Sequence, residues 1–191
     1  MPPKPKFSKP EIVNAAFDIA KNEGLDAITI RKVAHKLGSS IAPIYVNFDN
    51  VEQLVQAVVT KTFDIAMRML AEQRSGQPFR DIGIASLRFA KEYSVLFRDL
   101  IIKNNPHMTY DNHDLASLIG QMKKDVTLSG FSDEELKHIL LKLQIFQTGL
   151  SVMAANGLLP DDLTDEKLIG MLDSAAEDVI TSARLRQKGT S

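Results

Sequence analysis

The chain has 191 residues, of which 44% are hydrophobic and 25% charged, and it contains no cysteine. This is the composition of an ordinary globular protein long enough to bury a core, and it excludes disulfides, thiol nucleophiles and zinc fingers. The net charge is −1, yet residues 1–48 hold seven Lys/Arg against four acids, +3, leaving −4 for the rest. A basic module on an acidic body is the asymmetry expected where one end meets phosphate.

Lys4, Lys6 and Lys9 are not followed by an apolar core of signal-peptide length. Nor does any run approach about 18 uninterrupted apolar residues. The expectation is a cytoplasmic protein with no membrane contact.

Residues 1–7, rich in Pro and Lys, predict no regular structure. Ser8 and Glu11 form a capping-box pair around Pro10, and Ile12, Val13, Ala16, Phe17 and Ala20 mark one helix face closed by Gly24. Thr29 caps a second helix whose stripe is Ile30, Val33, Ala34 and Leu37, at i, i+3, i+4 and i+7. Gly38 ends it, since glycine takes a left-handed conformation at least steric cost. Ser39 or Ser40 is expected to cap a third helix of about two turns carrying Ile44, Tyr45 and Phe48. A supporting helix, a tight turn and a presented helix make a helix-turn-helix, the unit that fills a DNA major groove. The predicted core of this head is Ile12, Ala16, Phe17, Ile30, Val33, Leu37, Ile44 and Phe48.

Asn50 with Gln53 opens a long helix over 51–72, with Leu54, Val58, Ile65 and Met69 inward, stopped by the polar run 74–78. A largely apolar helix is expected over 79–103, then a polar loop containing Pro106, His107 and His113. Further helices are predicted over 114–128, over 132–156 (capped by Ser132 with Glu135) and over 164–186. No segment alternates like a strand. The reading is all-α, about nine helices: a three-helix head at 1–48 joined to a helical ligand-binding and dimerisation bundle at 49–191.

Gly24, Ile28-Thr29-Ile30-Arg31, Val33-Ala34, Leu37-Gly38, Ser40…Ile44-Tyr45…Phe48 and Glu52…Leu54 together resemble the DNA-binding region of the TetR family of bacterial one-component transcriptional regulators. The resemblance spans roughly residues 9–60. Asn47 stands where the family usually has His, and Val51 where it often has Lys, so one phosphate contact is missing at Val51. The resemblance implies double-stranded operator DNA as partner, a small-molecule effector in the bundle, and homodimerisation through the last two helices.

The candidate DNA contacts are Thr29, Lys36, Ser40, Ile41, Ala42, Pro43, Tyr45 and Asn47, with Lys6 and Lys9 as an arm. Ser reaches a phosphate or base edge, and Ala or Ile touches a thymine methyl; strong donors are few, so phosphates must supply much of the affinity. The candidate effector contacts are the aromatic and thioether side chains of the bundle: Phe63, Met67, Phe89, Tyr93, Phe97, Met122, Phe146 and Met153. The same spacing also suits plain core. Helices 132–156 and 164–186 have wide apolar faces able to pair with their copies, with Ala175, Ala176, Val179 and Ala183 allowing close approach. The four histidines share no metal-ligand spacing, and no nucleophile elbow or phosphate loop occurs, so no catalytic residue, metal or cofactor is expected. The function that follows is a ligand-responsive regulator, a repressor released from a palindromic operator by a small apolar molecule. The alternative is a helical adaptor or corepressor whose head no longer reads DNA.

Overall fold

A computed structural model describes residues 7–103 and 112–189. Lys4, Lys6, Pro106 and His107 lie outside those residues, as does the side chain of His113. The described residues form nine α-helices with short 3₁₀ and π segments and no strand. They fall into two units, 7–68 with 93–103 and 69–92 with 112–189. The packing thus groups residues 49–68 and 93–103 with the head.

The first unit begins with α1, Lys9–Glu23, started by the reciprocal Ser8–Glu11 capping box. Its buried face is Ile12, Ala15, Ala16, Phe17, Ile19 and Ala20. A 3₁₀ turn, Leu25–Ala27, leads to α2, Ile30–Lys36, where the Thr29 hydroxyl accepts the Lys32 N–H at 3.2 Å. The end of α2 is a Schellman turn: Gly38 at φ +60° donates to His35 O at 3.0 Å, and Ser39 donates to Ala34 O at 2.9 Å.

The expected serine cap of the third helix is absent. Ser39 uses its N–H to close α2 and its Oγ is buried without a described partner, while Ser40 is exposed. The residue preceding α3 is Ile41, which has no side chain able to cap. α3 accordingly spans only Ala42–Tyr45, one turn rather than two. Ile44 and Phe48 pin it from beneath, both essentially removed from water, each such side chain contributing about 1.5–3 kcal/mol. Ile30 and Leu37, expected in the core, are only half-buried. Their places are taken by Leu25, Ile28 and Ala34.

α4, Val51–Ala71, buries Leu54, Val58, Ile65 and Met69 as its spacing predicts, together with Val59 and Thr62. The Thr62 hydroxyl is satisfied by Val58 O at 2.8 Å.

The helix expected over 79–103 is broken. α5, Pro78–Glu92, stops before Tyr93, whose ψ of 44° leaves the helical region, and α6 resumes over Ser94–Phe97. The Tyr93 ring packs 6.0 Å from Phe17 with the Lys21 ammonium 4.8 Å above it. Tertiary packing on α1 therefore overrides the local periodicity, and α6 runs into a π turn at Arg98–Ile102. In that turn Asp99 is buried; it accepts the Leu25 N–H at 2.6 Å and the Lys103 ammonium at 2.7 Å. Asp99, with Asp26 further off, holds the Lys103 pKa above its ordinary value.

In the second unit α7, Asn112–Met122, and a 3₁₀ turn, Val126–Leu128, precede two long helices: α8, Asp133–Ala155, and α9, Asp165–Gly189. Ser132 and Glu135 cap α8 reciprocally as expected. The main core joins Ile119, Met122, Leu128, Phe131, Leu136, Ile139 and Leu140. Val179 and Ala183 of α9 pack onto it, so these two small residues serve their own chain's core. Arg184 closes one end, its guanidinium 4.2 Å above Phe131 and bonded to Thr127 O at 2.8 Å. None of the described helices is long and apolar enough to cross a membrane.

Candidate functional site

The first candidate surface is the outer side of α2, the turn and α3. Because Val33, Ala34 and Ile44 face inward, helical geometry sends Arg31, Lys32, His35, Lys36, Ala42 and Tyr45 outward, and all six are exposed. Ile41 and Val46 flank them, also exposed. Tyr45 is 51% accessible with its body resting beside buried Ile44. Its phenol can reach a phosphate oxygen while the helix stays anchored.

The eight residues named from the sequence divide according to what else they do. Ser40, Ile41, Ala42 and Tyr45 are exposed, with no side-chain hydrogen bond among the described residues, and Pro43 is half-buried at the first turn of α3. Thr29 accepts the Lys32 N–H, which leaves its hydroxyl proton free to donate outward. Lys36 lies 3.5 Å from Asp18, an exposed pair that a phosphate can replace. Asn47 is different: its Nδ2 donates to Pro43 O at 3.0 Å and to Phe7 O at 3.4 Å. It ties the entering chain to α3, so its amide protons are turned inward. Lys9 is likewise no arm residue; it opens α1 with its ammonium 5.0 Å from the Phe48 ring.

Arg31 was missed as a candidate. It is exposed on the same side and has no acidic partner among the described residues, whereas its neighbour Lys32 is paired with Glu23 at 2.8 Å. Its position between two inward-facing residues, Ile30 and Val33, was the available signal.

The second candidate site is a half-open cavity of about 680 Å³ within the second unit, inside the range of small-molecule pockets. Its apolar wall comes from Phe79 on α5, Leu140 and Leu143 on α8, and Leu172 and Ile180 on α9. Polar groups at its edge include Gln144, Glu177 and the Arg80–Asp173 pair.

Of the eight effector candidates, Phe146 lines this cavity. Met122 is in the solid core, Phe89 and Phe97 are buried away from it, and Tyr93 packs on Phe17 in the first unit. Phe63, Met67 and Met153 are exposed, Met67 to 61%. The cavity is walled mainly by aliphatic side chains that the sequence presents as ordinary stripe residues.

A third feature lies on α8 and α9. Leu141, Ile145, Gly149 and Met153 recur every fourth residue along one exposed edge of α8, and Met171 and Leu185 are exposed on α9. Among the described residues no three His, Asp or Glu side chains are grouped as a metal site.

No protein-family model matches the sequence, and no curated protein does. Solved structures do match along nearly their whole length. A transcriptional regulator from Rhodococcus sp. Rha1 superposes with TM-score 0.63 at 17% identity, covering 92% of this chain and 97% of that one. A TetR from Streptomyces coelicolor gives 0.64 at 15% identity, covering 92% and 98%. A TetR from Acinetobacter baumannii AYE gives 0.59 at 15%, covering 95% and 99%. The all-α fold of this chain is thus the TetR-like fold.

Proposed function

We propose that the protein is a DNA-binding transcriptional regulator, a repressor that leaves a palindromic operator when a small molecule fills its bundle cavity, and that it carries out no catalysis. The observation that supports this most directly is α3: one turn of helix pinned from below by Ile44 and Phe48, with Ile41, Ala42 and Tyr45 bare on the outside. Its match in fold to transcriptional regulators supports the same reading. Thr29, Lys36 and Arg31 would hold phosphates, and the Ser40–Pro43 stretch would meet base edges.

A single head reads too few base pairs to be selective, so the proposal includes a cytoplasmic homodimer whose two-fold axis matches an inverted repeat. The exposed apolar edge of α8, with Met171 and Leu185 of α9, supplies the pairing surface. Coupling follows the covalent chain. α5, which contributes Phe79 and Arg80 to the cavity, lies between two crossings into the first unit, at residues 68–69 and 92–93. A ligand that shifts α5 therefore pulls on α4 and on the segment after Tyr93 together. It must favour the DNA-incompetent arrangement, because equal affinity for both shifts nothing.

Selection of bound sites from a random duplex pool, at low and moderate salt, tests this. An inverted repeat is expected, with affinity falling steeply as salt rises. Dimerisation without any duplex retention in dilute buffer would instead favour an adaptor with a silent head, a role consistent with the inward-turned Asn47 amide.

A further inference from the structure

The cavity of the second unit carries a charge pattern that narrows what can fill it. Two adjacent rows of α9 face it: Leu172, Ala176 and Ile180, and alongside them Asp173, Glu177 and Thr181, each row stepping by four. Arg80 closes on Asp173 with Nε 2.8 Å from Oδ1 and Nη2 3.2 Å from Oδ2, a bidentate fork that cancels both charges. One turn further on, Glu177 has no cationic partner among the described residues. The remaining acid in the wall, Asp125, accepts the N–H of Thr127 at 2.8 Å and its hydroxyl at 2.7 Å, which fixes its place but leaves its charge. The nearby Arg184 is engaged with Phe131 and Thr127 O. Three carboxylates and one guanidinium thus lie in a wall whose other side chains are uncharged, apolar ones with Gln77, Gln144, Gln147, Thr127 and Thr181 among them. Glu177 is itself exposed, but an apolar body seated over Leu172 and Ile180 displaces water beside it, and the imbalance then acts on a bound charge more strongly than on an open surface.

The geometry points to a ligand with a bulky apolar body bearing one positive charge, the body over Leu172, Ala176 and Ile180 and the cation beside Glu177. An anion of the same shape would meet two uncancelled carboxylates. This deepens the regulatory reading by naming the effector's chemical class, and it rests on that reading only for what binding does to DNA.

The test uses the full chain and a matched pair of probes, tetraphenylphosphonium and tetraphenylborate, alike in size and opposite in charge, titrated calorimetrically without DNA. The phosphonium is expected to bind about tenfold more tightly than the borate. Glu177→Gln, which keeps the side-chain volume, should cut that preference about fivefold, and Glu177→Lys should reverse it, with melting curves showing both variants folded. Equal binding of the two ions, tighter binding of the borate, no binding of either, or a preference unchanged by Glu177→Gln would each overturn the assignment. Duplex retention is read separately. A chain that takes the phosphonium but holds no DNA defeats the regulatory reading alone, and one that holds an operator but shows no charge preference defeats only this inference.

Discussion

Asp99 accepts the backbone N–H of Leu25 at 2.6 Å, joining two residues 74 positions apart within the first unit. Next to it, Gly24 sits at φ +95°, and a β-carbon there would stand 2.7 Å from Asp99 Oδ2. The carboxylate thus occupies the space that glycine leaves, at the joint between α1 and the 3₁₀ turn. Asp99→Ala leaves the Leu25 N–H buried and unanswered, and a loss of about 1–3 kcal/mol is expected in denaturant unfolding. Gly24→Ala combines left-handed strain with that close approach and should cost more than about 1 kcal/mol. Wild-type stability in both variants would show that this joint carries no weight.

Ile44 and Tyr45 are consecutive in α3 and should behave oppositely. Ile44→Ala removes a fully buried anchor and should destabilise the head by about 2–5 kcal/mol. Tyr45→Ala should change stability by no more than about 0.5 kcal/mol while weakening operator binding about fivefold. Arg31→Ala should weaken binding to all sequences alike and lower the salt slope by about 1. Filter binding across a salt series, set beside melting curves, separates the three.

Acid sensitivity should follow the two capping boxes. The hydrogen bonds from Ser8 hold the Glu11 carboxyl below its ordinary 4.5, and those of Ser132 do the same for Glu135. A carboxyl whose folded pKa is depressed releases its proton more readily in the native state. Its stabilising contribution is therefore complete above about 4.5 and is lost as pH falls through the lower native value. Glu11→Gln and Glu135→Gln should each flatten the decline in stability below pH 4.5, measured by denaturant melts across a pH series.

The apolar edge of α8 offers a test of pairing. Ile145 is 64% exposed within the single chain, so Ile145→Glu should leave the protomer folded and shift sedimentation from dimer to monomer. The concentration dependence of the melting temperature should vanish with it. A variant that still sediments as the wild type would remove α8 from the pairing surface.

Most of the helices were legible because their start signals are chemical and local. Ser8 with Glu11, Thr29, and Ser132 with Glu135 each satisfy orphan N–H groups in the way their spacing implies. What local signals could not supply was the outcome of competition between neighbours. Ser39 is a good cap residue, but its hydroxyl is buried without a described partner, and α3 starts only at Ala42, with Ile41 at the cap position, and comes out shorter. Tyr93 fits the stripe of one long helix, yet its ring gains more against Phe17, and the helix breaks there. The cavity was hidden for a related reason. Leu143 and Leu172 read as core at any helical spacing, and whether such a side chain meets another or meets a void is decided by how far apart the helices settle. Aromatic and thioether residues drew attention, but Met122 and Phe97 had close neighbours and were filled in.

A presented helix of only four residues divides labour within the head. Ile44 beneath it, helped by Phe48, carries the shape, and the outward side chains at 40, 41, 42 and 45 bear almost none of it. Mutation can therefore rewrite those four positions one at a time without unfolding their support. Under the proposed DNA-binding role, a lineage carrying this head can change which operator it prefers while its architecture stands still.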